Sequence, residues 1–167
     1  MWLNIAKKYL GTTEIVGTED NPKIIAMYAN VGFPGVKDDE TAWCAAFVGS
    51  CLKEDGQPYL KSLAARSYLN YGNKLTNPKE GAIAVFWRGS PTGWQGHVGF
   101  VTKWDDTHVW VIGGNQGNKV SEQAFPRTQV LGFRYPAISE TTQKVTKVVV
   151  ENSNKLSLLQ GIRRFFL

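Results

Sequence analysis

The stretch Trp43-Cys44-Ala45-Ala46-Phe47-Val48 carries the sharpest chemical signal in this chain of 167 residues. We predict that it opens a helix that follows Asp38-Asp39-Glu40-Thr41 and runs through Cys51-Leu52, because acidic residues are favourable near a helix N-terminus. In that position the free backbone N–H groups and the helix dipole favour the thiolate form of Cys44. A lone cysteine is more often a buried core residue. From this stretch alone, Cys44 is therefore either a nucleophile or a core residue.

The rest of the chain divides into a helical first half and a stranded second half. Apolar residues recur at helical spacing in the segments 2–10 and 60–71, and Asn21-Pro22 is a typical helix start. Apolar or alternating runs predict strands at 81–87, 97–104, 107–112 and 129–135. Helices followed by antiparallel strands predict an α+β fold.

Composition excludes several classes of protein. The chain has 19 Lys+Arg against 14 Asp+Glu, a net charge of +5, but residues 139–167 hold five of the basic and two of the acidic residues. The first 138 residues are therefore nearly balanced, which argues against a nucleic-acid-binding protein with a basic face. The sequence has no run of about 18 apolar residues, so we predict no transmembrane helix. The pattern of the N-terminal residues predicts no signal peptide.

The two cysteines predict free thiols. Cys44 and Cys51 lie about 10 Å apart if both are on one helix, which is too far for a disulfide. The cysteines and histidines show no short paired spacing typical of zinc sites. We therefore predict neither a metal nor a cofactor.

A nucleophilic cysteine needs a base and a residue that orients the base. His97 opens a predicted strand between Gly96 and Gly99, where an imidazole can reach a cleft, whereas His108 lies inside a hairpin. Asn115 ends the next strand, and its amide oxygen could accept the Nδ1–H of His97 and leave Nε2 to face the sulfur. The alternatives are that His97 is a surface histidine and that Asn115 only forms part of a Gly-Asn turn.

These residues together resemble the CHAP-type cysteine, histidine-dependent amidohydrolases and peptidases, which are related to NlpC-type cell-wall peptidases with a papain-like core. The resemblance spans residues 1–136 and is closest to a phage endolysin-like subgroup. It rests above all on the segments 43–48, 96–101 and 113–116. By position, the family's nucleophile falls on Cys44, its base on His97 and its orienting residue on Asn115.

The resemblance implies a peptidoglycan hydrolase that cleaves an amide bond through a thiol mechanism, either as an endopeptidase or as an N-acetylmuramoyl-L-alanine amidase. The candidate substrate-binding residues are Trp43, Trp87, Trp94 and Gln116. Some CHAP domains bind calcium, but Asp38-Asp39-Glu40 lacks the spacing of that loop. A phage-tail wall hydrolase, an interbacterial effector and a non-catalytic wall-binding module remain alternatives.

Residues 137–167 fall outside the resemblance and are expected to form a basic extension of the catalytic domain at 1–136. The segment 155–167 predicts an amphipathic helix, which either docks on the domain or contacts an anionic envelope or membrane surface. We expect a monomer that stays in the host cytoplasm until it is released to the cell wall or periplasm.

Overall fold

A computed structural model describes residues 1–137 of the chain. Within this range the fold is α+β and consistent with a papain-like CHAP architecture, which confirms the predicted fold class. The amphipathic helix predicted at 155–167 lies outside the described residues, and the division at residue 136 stays a prediction. In the described range no helix combines the length and apolar character that crossing a membrane requires.

Three α-helices form one layer of the fold: α1 (Trp2–Lys8), α2 (Pro22–Asn30) and α3 (Cys44–Glu54). Helix α2 starts as expected, because the Asn21 side chain accepts a hydrogen bond from the Lys23 N–H and Pro22 occupies the first turn. Helix α3 is the central one, with nine of its eleven residues buried.

Two details of the helix prediction are wrong. The acidic residues at 38–40 do not cap α3, which begins at Cys44 with no side-chain cap. Asp38 instead accepts hydrogen bonds from the Glu40 N–H and the Thr41 hydroxyl, so it shapes the preceding loop. The segment 60–71 forms only a short 3-10 helix, Ala65–Asn70.

Six strands form one antiparallel sheet: β1 (Asn73–Leu75), β2 (Ile83–Trp87), β3 (Gly96–Trp104), β4 (His108–Gly113), β5 (Ser121–Pro126) and β6 (Val130–Tyr135). Their order is β1-β6-β2-β3-β4-β5. The four predicted strands correspond to β2, β3, β4 and β6. The two missed strands lie at the sheet edges, where β5 is mostly exposed and lacks an apolar alternation that a sequence pattern could reveal.

The main core lies between α3 and the sheet. Phe47 of α3 packs on Phe100 of β3 with their ring centroids 6.2 Å apart. Tyr68 is fully buried, and its hydroxyl donates to the Ala45 carbonyl at 3.2 Å. These contacts hold the N-terminal half of α3 against the sheet and against the 3-10 helix, so the position of Cys44 is set by the core.

We predict that Gly49→Ala destabilises the protein. An added Cβ would lie 2.6 Å from Val31 Cγ1 and 3.0 Å from the Tyr68 hydroxyl. Overpacking of this kind costs about 1–3 kcal/mol, which exceeds the helix propensity of about 1 kcal/mol that alanine adds. Urea denaturation should show a lower unfolding free energy.

Gly35→Ala is the matched control, because no atom lies within 4 Å of its added Cβ. Its unfolding free energy should stay close to that of the wild type. An equal loss in both variants would contradict a specific close contact at Gly49.

Candidate active site

Cys44 is the first residue of α3, and its side chain is almost buried, with 7 % of its surface exposed. That exposed part lines a cavity of about 330 Å³. The other lining residues are Ala42, Leu63, Ala64, Ala65, Arg88, Trp94, Gln95 and Gly96. A small, open approach to a sulfur at a helix start is what a nucleophilic thiol requires.

The electrostatic surroundings of Cys44 pull its pKa in two directions. Burial raises the thiol pKa, and this effect dominates. The Arg88 guanidinium and the backbone N–H groups of Val98, Ala45 and Cys44 itself lower the pKa. The helix start therefore favours the thiolate as predicted, but burial outweighs it, so the thiol needs a base to lose its proton.

His97 lies on β3, fully buried, and its Nε2 is 2.8 Å from Gln116 Oε1. The amide orientation of Gln116 follows from its other contact, since its Nε2 donates to the Ser121 carbonyl at 2.6 Å. The amide oxygen must then face the imidazole, which assigns the imidazole proton to Nε2. His97 Nδ1 is left as the acceptor, 3.4 Å from Arg88 Nη2.

The structure therefore places Gln116, and not Asn115, against His97. Asn115 adopts a left-handed backbone conformation with φ 56°. Between residues 1 and 137, no hydrogen bond joins its side chain to His97. The tautomer is also the reverse of the one expected, because Nε2 meets the amide and Nδ1 stays available. Gln116 lies in the segment 113–116 that carries the family resemblance, but the sequence predicts it as a substrate-binding residue.

Two aromatic rings pack near the imidazole of His97. Phe86 and Phe125 stack on it with ring centroids 6.3 Å and 5.2 Å away. The pKa of His97 is lowered to about 4, mainly by burial; the bond to Gln116 opposes this shift and the nearby Arg88 charge adds to it. The imidazole is therefore neutral near pH 7 and can accept a proton at Nδ1.

Gly113 and Gly114 let the imidazole–amide pair lie close to α3. A Cβ on Gly113 would come within 2.5 Å of Gln116 Oε1 and 3.0 Å of His97 Nε2. A Cβ on Gly114 would come within 2.5 Å of the Trp43 ring. The Gly-Gly pair thus serves close packing around the base and is not only a turn former.

The three predicted substrate-binding tryptophans lie in different environments. Trp43 is fully buried and donates its indole N–H to Glu14 at 2.7 Å, so it offers no surface to a substrate. Trp87 is half-buried, donates to the Thr128 carbonyl and does not line the Cys44 cavity. Trp94 is 85 % exposed and does line it.

Three carboxylates lie close together in the described part of the chain. Ligand atoms of Asp20, Asp38 and Asp39 lie within 4.8 Å of one another. The buried Asp39 accepts hydrogen bonds from the backbone N–H groups of Ile15 and Asn21 at 3.0 and 2.8 Å. These hydrogen bonds explain why the Asp39 carboxylate is buried, because it connects two loop segments. The expectation that the chain binds no metal stays a prediction.

The remaining candidates lie apart from this arrangement. Cys51 is completely buried, and both cysteines are free thiols, which confirms the prediction of no disulfide between them. His108 is partly exposed on β4 and contacts the Thr107 hydroxyl through Nδ1. Neither side chain faces the cavity that Cys44 lines.

Residues 36–115 match the family model of the CHAP domain. CHAP domains are typically cysteine- and histidine-dependent amidohydrolases or peptidases, and their general activity is peptidoglycan hydrolysis. The matched range includes Cys44 and His97 and ends one residue before Gln116. No curated protein matches the chain. The match supports the CHAP-type peptidoglycan hydrolase family for this chain.

The buried His97 predicts a pH-dependent stability. Its pKa falls from 6.5 to about 4 on folding, so the unfolded chain binds the proton more tightly. The contribution of His97 to the free energy of unfolding is therefore fully present above pH 6.5. It is lost as the pH falls from 6.5 towards 4, which lowers the free energy of unfolding by about 3 kcal/mol in all. Urea denaturation at several pH values measures this slope.

His97→Gln should flatten the slope between pH 6.5 and 4, since it removes the group that titrates. His108→Gln, at a partly exposed position of β4, is the control and should keep the slope of the wild type. A slope unchanged by His97→Gln would contradict a neutral, buried imidazole.

Proposed function

From the CHAP match at residues 36–115, we propose that this protein is a phage-type endolysin that cleaves an amide or peptide bond of bacterial murein. The observation that carries the proposal is that Arg88, which lines the cavity of Cys44, also contacts the buried His97 that Gln116 holds, so the thiol and the imidazole belong to one site. A nucleophile, a base and an orienting group in this relation are the requirements for acyl transfer by a thiol.

The proposed reaction begins when His97 Nδ1 accepts the Cys44 thiol proton. The sulfur attacks the carbonyl carbon of the scissile amide, and the tetrahedral oxyanion is stabilised by the Cys44 backbone N–H at the start of α3. The imidazolium then donates its proton to the leaving amine as the C–N bond breaks. Water, deprotonated by His97, hydrolyses the thioester and regenerates the thiol.

Gln116 acts in this scheme by holding the imidazole. Its amide oxygen binds the Nε2–H, and its amide nitrogen is held by the Ser121 carbonyl, so the ring keeps Nδ1 available through the cycle. The positive charge that forms on His97 also gains from this acceptor. We assign the third catalytic role to Gln116 on this basis, in place of Asn115.

Substrate recognition is proposed for the cavity and its rim. Trp94 presents an exposed indole beside Cys44, which suits stacking on a sugar ring or on the apolar part of a stem peptide. A loop anchored by Arg66 carries this side chain, because the guanidinium donates to the carbonyls of Ser90, Pro91 and Gln95. The rim is thus held in place and can select substrate.

The same chemistry also suits a phage-tail wall hydrolase or an interbacterial effector, and the cleaved bond distinguishes an endopeptidase from an N-acetylmuramoyl-L-alanine amidase. We propose action at the cell wall or periplasm by a monomer released from the host cytoplasm. Contact of residues 155–167 with an anionic envelope stays a prediction. A wall-binding module without activity is the outcome if the wild-type protein cleaves no murein.

Cys44→Ala should abolish cleavage, because no other group in the proposed site can form the acyl-enzyme. The assay is incubation of the purified protein with isolated murein, followed by mass spectrometry of the released fragments. New N-terminal alanine on stem peptides indicates an amidase, and termini within the stem or cross-link indicate an endopeptidase.

Cys51→Ala is the matched control and should retain activity, since this buried thiol does not line the cavity. Undiminished cleavage by Cys44→Ala would refute the thiol mechanism. No cleavage by the wild type on any murein would refute the proposed function.

Neighbouring variants test which amide orients the base. Gln116→Ala should lower kcat roughly 10²-fold, the scale of a lost acid–base function, and should shift the His97 tautomer seen by ¹⁵N NMR. Asn115→Gly keeps the left-handed backbone at that position and should leave kcat close to the wild-type value. The opposite ranking would return the orienting role to Asn115.

A further inference from the structure

Arg88 occupies a position that the proposed catalytic cycle does not use. It follows the last residue of β2, is exposed, and lines the same cavity as Cys44. Its Nη2 lies 3.4 Å from His97 Nδ1, a long contact for a hydrogen bond. A guanidinium therefore lies at the reaction centre, beside both the nucleophile and the base.

Among the described residues, Arg88 differs from Arg66 because most of its N–H donors make no hydrogen bond. Arg66 uses three nitrogens on three backbone carbonyls at 2.8–3.0 Å, which accounts for it as a structural clamp. Within residues 1–137, Arg88 has no carboxylate at salt-bridge distance, and its side chain makes no hydrogen bond except the contact to His97. Its remaining donors form a planar fork that matches a carboxylate.

We propose that Arg88 binds a carboxylate of the substrate next to the scissile amide, which makes it a specificity-determining residue for anionic stem peptides. This inference rests on the proposed function for the identity of the substrate. Murein stem peptides carry carboxyl groups beside their amide bonds, and these groups are either free or amidated. The enzyme then prefers the free carboxylate, because a carboxamide brings no charge to the guanidinium.

The same placement gives Arg88 an effect on the nucleophile. Its charge lowers the thiol pKa of Cys44, although burial keeps that pKa raised overall. A substrate carboxylate bound at Arg88 places the neighbouring carbonyl within the cavity that the sulfur lines. One residue therefore positions the substrate and favours the thiolate.

A chemical test uses two alkylating reagents that differ in charge. Iodoacetate and iodoacetamide both lose iodide to the Cys44 thiolate, but only iodoacetate carries a carboxylate. Mass spectrometry of the Cys44 peptide gives the two rates, and their ratio cancels any change in thiolate population. We expect the iodoacetate-to-iodoacetamide ratio to be roughly fivefold higher for Cys44 than for a free cysteine peptide, the scale of one exposed ion pair. An equal ratio would overturn the proposal without any variant.

Variants then assign the effect to Arg88. Arg88→Gln should reduce the ratio to that of the free peptide, and Arg88→Lys should retain most of it because the charge remains. Arg127→Gln is the matched control, since this arginine lines a different surface cavity and donates to the Asp105 carbonyl. If Arg127→Gln reduces the ratio as much as Arg88→Gln, a diffuse field explains the preference and the proposal fails.

Paired stem peptides with a free or an amidated carboxyl beside the scissile bond give the second measurement. Arg88→Gln should raise KM about fivefold for the free carboxylate and leave KM for the carboxamide unchanged. Arg88→Lys tests the planar fork and should give an intermediate KM for the carboxylate. A reagent preference that depends on Arg88 without murein cleavage refutes the proposed function but keeps the carboxylate site. Cleavage with no such preference refutes the carboxylate site alone.

Discussion

The imidazole of His97 meets the amide of Gln116 in the interior of the protein, where neither side chain has access to bulk water. A buried polar pair is tolerated only when every partner is satisfied. Gln116 meets that condition by donating to Ser121, and Gly113 leaves the space in which the pair forms. This hydrogen bond depends on three features of the fold, namely the register of β3, the bend after β4 and the packing of α3.

Burial also determines the charge state of the site. It raises the pKa of the Cys44 thiol and lowers that of the His97 imidazole, so each group resists the ion pair that the proposed reaction needs. Arg88 assists the thiolate but opposes protonation of His97. In the proposed cycle, the carboxylate of a bound substrate offsets this positive charge, so that substrate binding itself favours the ion pair.

Local sequence patterns were sufficient for much of the fold and for part of the site. The long apolar strands, the Asn-Pro start of α2 and the position of Cys44 at a helix start all depend on residues close in sequence. The edge strand β5 was missed because its polar residues lack a buried face. Asp39, before α3, accepts hydrogen bonds from loop backbone groups, a role that depends on contacts with residues 15–21.

The sequence by itself determined the α+β class, the free thiols and the pairing of Cys44 with His97 as candidates, because residue type and neighbouring residues carry those signals. Only the tertiary structure decided between Asn115 and Gln116, since the choice depends on which amide the left-handed bend turns towards β3. It also placed Arg88 in the cavity that Cys44 lines and buried Trp43 in the core. Such placements arise from packing between segments far apart in the chain, and no local pattern contains them.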